Sequence, residues 1–173
     1  ILNPGCRFFD MRIGQSVTLT GRCITKHMAS KVNEIVAGKY DHKGESVVYG
    51  DTDSVYFSAY KTLQKEINEG LIPWTKDSVL GLYDKIAEEV NGSFKSFMTR
   101  AFHTPSTRGE VIAAGRELVA SKGLFITKKR YAVLYYDKEG KRADVEGKDG
   151  KMKAMGLDLK RSDTPVLGQE FLS

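Results

Sequence analysis

The chain has 173 residues, 40% hydrophobic and 28% charged, an ordinary composition for a soluble globular domain and enough for one real core. No apolar run approaches the roughly 20 residues that cross a bilayer, and the two cysteines, Cys6 and Cys23, form neither a CxxC nor a disulfide framework, which fits a reducing compartment and no membrane partner. The net charge of +5 is unevenly placed: Arg116 to Arg161 holds thirteen Lys/Arg against seven Asp/Glu, and the remainder fourteen against fifteen. A concentrated positive stretch suits either a polyanion or a solvated basic face, and charge alone leaves both open.

The N-terminus, Ile1-Leu2-Asn3-Pro4-Gly5, shows no signal-peptide pattern and no initiator Met, so the chain reads as a piece of something longer. Phe8 to Met11 read as extended. A helix is expected from about Gly14 to Ala37, because Val17, Gly21, Ile24, Met28, Val32 and Ile35 recur in steps of three and four, with Gly38 as its stop. Ser46-Val47-Val48-Tyr49 and Val55-Tyr56-Phe57 are β-branched and aromatic runs around the turn formers Gly50-Asp51-Thr52-Asp53-Ser54, which predicts a β-hairpin. A mixed connector from Lys61 to Lys76 carries the breakers Gly70 and Pro73. A second long helix follows, capped by Asp77 or Ser78, with its stripe at Val79, Tyr83, Ile86, Val90, Phe94 and Phe97, and Thr104-Pro105-Ser106 ends it. Those aromatics are read as core rather than as a binding stripe.

From Glu110 onward the pattern is β. Val111–Ala113 and Glu117–Val119 are candidate strands, Leu124 to Asp137 contains a long one turned by Lys138-Glu139-Gly140-Lys141, and Lys151 to Leu159 is another, after a loop at Gly147, Asp149 and Gly150. No internal repeat or low-complexity tract appears. The expected class is α+β, with antiparallel strands and two long helices. His27, His42 and His103 lie at no zinc-ligand spacing and are expected to be structural or surface residues.

Asp51 and Asp53 stand at i and i+2 of a turn that the flanking strands hold rigid. Hard divalent cations such as Mg²⁺ take carboxylate oxygens and keep waters or phosphate oxygens besides, and such a hairpin supplies the carboxylates. A bare Asp-x-Asp is more often an ordinary turn. The six residues Tyr49-Gly50-Asp51-Thr52-Asp53-Ser54, between two β runs, resemble motif C of the B-family DNA polymerases. Thr127-Lys128-Lys129-Arg130-Tyr131-Ala132 resembles the Lys-Lys-Arg-Tyr element that follows motif C. Lys151 to Pro165, with Met155-Gly156-Leu157 and Thr164-Pro165, looks like the stretch leading from palm to thumb, closest to T-even-type phage polymerases. Arg7-Phe8-Phe9-Asp10 and the helix after it look like the stretch just beyond motif B.

What the resemblance implies is an antiparallel palm sheet whose catalytic hairpin packs on two long helices, with 1–157 the later part of the palm and 158–173 the start of the connection to the thumb. It implies template-directed nucleotidyl transfer from dNTPs to a primer 3′-hydroxyl with two Mg²⁺ ions, in phage replication within the host cytoplasm. Asp53 maps to the firm metal ligand and Asp51 to its supporting neighbour. Lys129, then Lys128, map to the minor-groove contact near the primer end, with Arg130 and Tyr131 beside them. Arg161 maps to a lysine that approaches the primer duplex, a change of residue at constant charge. A strand would send Lys129 and Tyr131 to one face and Lys128 and Arg130 to the other. The second ligand set, in motif A, is not found in this sequence, nor are the exonuclease, fingers and thumb. The implied partners are therefore primer-template DNA, dNTP and the rest of the polymerase, with a sliding clamp reached through other regions, and the chain alone is expected to be inactive. A split enzyme and a partial sequence both fit. A sugar-nucleotide glycosyltransferase using Asp-x-Asp, or a non-catalytic DNA-binding module, would each explain only one of the two charged elements.

Overall fold

The computed structural model describes residues 3–145 and 147–157. Helices and antiparallel strands both contribute, so the chain is α+β as expected. It divides into two compact units: the residues up to Val79 with Glu88–Ala113, and Leu80–Ala87 with the residues from Ala114 onward.

In the first unit, α1 spans Met11–Ala37. Asp10 caps it from an extended backbone, its carboxylate accepting the Arg12 N–H at 2.8 Å. Gly38, at φ 74, closes it in the left-handed conformation that a Cβ would penalise. The expected stripe is only partly the buried one. Val17 is 64% exposed, whereas His27, Ala29, Ser30, Val32 and Asn33 are buried. Periodicity marks a face along the whole helix, but only the C-terminal half of α1 is packed against other described elements.

The connector carries a short helix α2, Gln64–Asn68. Helix α3 spans Lys76–Phe102 and begins earlier than expected. Its cap is Thr75: the Thr75 hydroxyl accepts the Ser78 N–H at 3.3 Å and the Ser78 hydroxyl accepts the Thr75 N–H at 2.9 Å. Ser78 is thus the reciprocal partner in a capping box rather than the cap. The stripe Val79, Ile86, Val90 and Phe94 is buried as expected, and Met98 extends it.

His27 joins α1 to the Glu88–Phe102 part of α3. Its ring lies flat on Phe97, centroids 3.9 Å apart and planes within 4°. Nδ1 is 2.7 Å from the Tyr40 hydroxyl and Nε2 is 2.9 Å from Ser93 Oγ. Ser93 donates its proton to Val90 O at 2.6 Å, so Nε2 is the donor to Ser93 and Nδ1 the acceptor from Tyr40. That is a neutral imidazole, and burial, reinforced by Lys31 and Arg100, holds its pKa below the usual histidine value.

Asn33 is 1% exposed and fastens the loop after α1. Its Nδ2 donates to Asp41 O at 2.8 Å and to Ala29 O at 3.3 Å, and its Oδ1 accepts the Ser46 N–H at 3.0 Å. Gly44 lies so close that a Cβ there would come within 2.5 Å of the Asn33 amide carbon. Asn33 thereby fixes the residue that immediately precedes the acidic hairpin.

The second unit is built on β3 (Leu118–Thr127), β4 (Arg130–Lys138), β5 (Lys141–Arg142) and β6 (Lys151–Met155), all antiparallel. β4 is central, with β3 on one edge and β5 and β6 sharing the other. Val119, Tyr131, Val133 and Tyr136 are buried. Arg116 pairs with Asp84 and with Asp137, which is 2% exposed and also accepts the Gly140 N–H. The Glu139-Gly140 turn, with φ 51 and 79, joins β4 to β5 where a turn was expected. Val111–Ala113 is not a strand. It follows a one-turn helix, α4 (Ser106–Gly109), and Val111 is 81% exposed. The proposed boundary at 158 and the 158–173 segment lie outside the described residues.

Candidate metal hairpin and basic tip

β1 (Val47–Asp51) and β2 (Ser54–Phe57) form the expected antiparallel hairpin, here a two-stranded sheet against α1. The pairing Tyr49↔Tyr56, Gly50↔Val55 and Asp51↔Ser54 leaves only Thr52 and Asp53 in the turn, and Val48 is accommodated by a register shift. Asp51 is therefore the last strand residue rather than part of the turn. Neither turn residue is among the non-glycine positions with positive φ, so the turn is not the mirror-image kind that two-residue hairpins favour.

The two acids are differently committed. Asp51 is half-buried, and its Oδ1 accepts the Thr52 N–H at 2.8 Å and the Thr52 hydroxyl at 3.2 Å. Asp53 projects from the turn, exposed. From the helix side, the Thr25 hydroxyl lies 3.0 Å from Thr52 O and 3.0 Å from Gly21 O, its one proton shared between the two carbonyls. Asp51 thus shapes the turn and Asp53 is presented by it. An all-oxygen donor set suits Mg²⁺, but two carboxylates do not complete its octahedral shell. Among the described residues no group of three or more His, Cys, Asp or Glu comes together. The residues present fit one side of a metal site.

In the second unit the basic cluster sits where the chain reverses. Thr127 pairs with Arg130, so Lys128 and Lys129 are the two-residue turn between β3 and β4, and Lys129 is left-handed at φ 60. The single strand expected across Leu124–Asp137 is broken here. The turn contains no Gly, Asn, Asp or Pro, so nothing in its composition marks a reversal. A register shift between Phe125 and Thr127 lets it close. The alternation that would set Lys128 and Lys129 on opposite faces does not apply in the turn.

Lys128, Lys129 and Arg130 are exposed, while Tyr131 is 4% exposed with its ring 5.7 Å from Phe125. Tyr131 is thus part of the sheet's core. The segment Met155-Gly156-Leu157 lies against this tip. Tyr131 pairs with Met155, the Arg130 Nε–H donates to Gly156 O at 3.0 Å, and a Cβ on Gly156 would come within 2.0 Å of Lys129 O. Gly156, at φ 63, has both a backbone conformation and a neighbour that exclude a side chain. Two stretches that carried the resemblance separately are therefore one local structure. Toward the far end of β4, burial pushes the pKa of the Tyr136 hydroxyl up to about 12. Arg161 lies outside the described residues.

No protein-family model matches the chain. It is 33% identical to the DNA-directed DNA polymerase of Escherichia phage RB69 over 182 aligned residues, which cover 98% of this chain and 19% of that protein. The chain is thus similar to part of a phage DNA-directed DNA polymerase. The enzyme of Enterobacteria phage T4 is 28% identical over 96% of the chain and 19% of its own length, and a DNA polymerase of Paramecium bursaria Chlorella virus NY2A is 28% identical over 92% and 14%. These names bear out the resemblance to phage DNA polymerases and are consistent with the B family. The chain spans about a fifth of the length of the phage relatives. No described helix is long and apolar enough to cross a membrane.

Sequence reasoning singled out the acids and the cations but missed what holds them. Asn33 and Thr25 lie in a helix whose pattern shows only apolar spacing, and a polar residue next to Val32 of the apolar stripe was the one available signal. Gly156 was visible within the Met-Gly-Leu resemblance, without its reason.

Proposed function

We propose that this chain is the part of a DNA-directed DNA polymerase that supplies one side of the metal site for nucleotidyl transfer and one grip on the primer-template, acting within an infected host cell. The observation that carries the reading is the acidic hairpin. Its two-residue turn engages Asp51 with Thr52 and leaves Asp53 exposed, in a chain alignable over nearly its whole length with phage polymerases. Asp53 is the principal ligand, and Asp51 shapes the turn and adds negative potential beside it. Bound Mg²⁺ would supply activation of the primer 3′-hydroxyl and stabilisation of the departing pyrophosphate. Lys128 and Lys129, at an exposed tip, are suited to phosphate or minor-groove acceptors, which carry little sequence information, as copying any sequence requires. Arg130 braces that tip, and Tyr131 supports it from within the sheet. All three relatives are named polymerases, so the sugar-nucleotide alternative has no supporting finding.

The test is gel-resolved extension of a labelled primer. The purified chain alone should not extend it. Adding a polypeptide that carries the opposing carboxylate and the triphosphate-binding cations should restore synthesis, and a chelator should abolish it. Chelator-sensitive synthesis by the chain alone would overturn the half-site reading.

A further inference from the structure

In a two-residue hairpin turn, the peptide joining the turn residues is the unit least constrained by the strand ladder. Its plane sets the direction in which the second residue's Cα–Cβ bond leaves the turn. Here that peptide joins Thr52 to Asp53, and Thr52 is gripped from two sides. Its N–H and hydroxyl bond Asp51 Oδ1, and its carbonyl oxygen accepts the Thr25 hydroxyl at 3.0 Å. The second grip comes from 27 residues earlier in the chain, on α1. Within its own helix the same hydroxyl is also 3.0 Å from Gly21 O, a bond that any mid-helix threonine can make; its one proton is shared between the two carbonyls, and the contact to Thr52 O is the one particular to this fold. At the other end of the hairpin, Asn33 on the same helix holds the Ser46 N–H at 3.0 Å. One helix therefore fastens both the base and the turn of the acidic hairpin.

We infer that Thr25 is a positioning residue for Asp53: by fixing the Thr52–Asp53 peptide plane against α1, its hydroxyl aims the exposed carboxylate. The inference deepens the metal-site reading and rests on it for its functional consequence, but its structural content can be measured without metal. The Thr25→Val variant keeps the shape and deletes the hydroxyl, and Thr25→Ser restores the hydroxyl without the methyl. Two readouts are taken on the full chain. Backbone ¹⁵N relaxation reports order at Thr52, Asp53 and Ser54 in the absence of metal. Titration with Mn²⁺ reports, through paramagnetic broadening of the same amides, the affinity of the hairpin for a divalent ion.

Thr25→Val should lower the order parameters at 52–54 while leaving the rest of β1 and β2 ordered. It should weaken Mn²⁺ binding about two- to tenfold, the worth of one net hydrogen bond. Thr25→Ser should recover both. A merely structural role for Thr25 would instead move the urea midpoint and leave local order and Mn²⁺ affinity as in the parent. If Thr25→Val matches the parent in both readouts, while the parent binds Mn²⁺ at Asp53, the positioning role is overturned and the metal reading stands. If the parent shows no Mn²⁺ broadening at Asp53, the metal reading is overturned, and the relaxation data alone decide whether Thr25 orders the turn.

Discussion

Replacing Asn33 by Leu should be among the most damaging single changes in the first unit. Leucine has the same branching and number of heavy atoms, so the main perturbation is the loss of polar partners, with its bulkier methyls adding some crowding against Gly44. It removes three hydrogen bonds, at 2.8, 3.0 and 3.3 Å. The bond to Ala29 O matters least, because that carbonyl already serves the helix. The Ser46 N–H loses its partner in a residue only 1% exposed, and Asp41 O, in a half-buried loop, keeps only the Gly44 N–H at 3.2 Å. A buried polar group left without a partner costs about 1–3 kcal/mol, and the better-solvated carbonyl costs less, which gives roughly 2–4 kcal/mol in all. Trp74, the single tryptophan, packs on Tyr60 with ring centroids 5.5 Å apart in the same unit and reports its unfolding by fluorescence. With a urea slope of about 2 kcal/mol/M, the midpoint should fall by roughly 1–2 M with the slope unchanged. A midpoint within about 0.2 M of the parent would refute the claim that these bonds fix the hairpin's base.

Four further outcomes follow from the same geometry. Because burial lowers the His27 pKa, its contribution to stability is complete above the unfolded value near 6.5 and is lost as pH falls toward the lower folded value. Urea midpoints measured from pH 7 to 5 should therefore decline less in His27→Phe than in the parent. Arg116→Leu strands the buried Asp137 carboxylate and should cost about 3–5 kcal/mol, much of it recovered when Asp137→Asn is added, as a double-mutant cycle in urea would show. Gly156→Ala should disturb the Lys128–Lys129 tip, since its Cβ would meet Lys129 O, and amide shifts in a heteronuclear NMR spectrum should change there rather than in the acidic hairpin. Lys129→Ala should weaken binding of unrelated primer-templates alike, flattening the log–log salt slope by about one if the contact is to phosphate and by less if it is to the minor groove; unchanged affinity would show the contact is misplaced.

Much of the site was legible because it is local. Tyr49–Ser54 specify a hairpin through β-branched and aromatic strands around turn formers, and the acids follow from spacing. The difference in role between Asp51 and Asp53 was legible only through the family. The structure gives the two acids different surroundings, Asp51 bonding Thr52 and Asp53 exposed. Lys128 and Lys129 were misread as strand residues, because a reversal made of lysines in an apolar run carries no local mark. A register shift after Phe125 accompanies it, and Gly156, distant in sequence, lies against Lys129 O. The buried face of α1 was half right for a similar reason: which half of an amphipathic helix is covered depends on neighbours that its own periodicity does not name.

The central claim is that Asp53 is a ligand of a polymerase metal site, and primer extension tests it most directly. The matching segment of the phage RB69 DNA polymerase would be replaced by this chain, with Asp53 intact or changed to Ala. Metal stabilisation of transition-state charge is worth several kcal/mol, so Asp53→Ala should slow nucleotide addition on the order of a thousandfold while leaving duplex binding measurable. Asp51→Ala should be milder. If the Asp53→Ala chimera adds nucleotides as fast as its parent, Asp53 holds no catalytic metal and the account is contradicted.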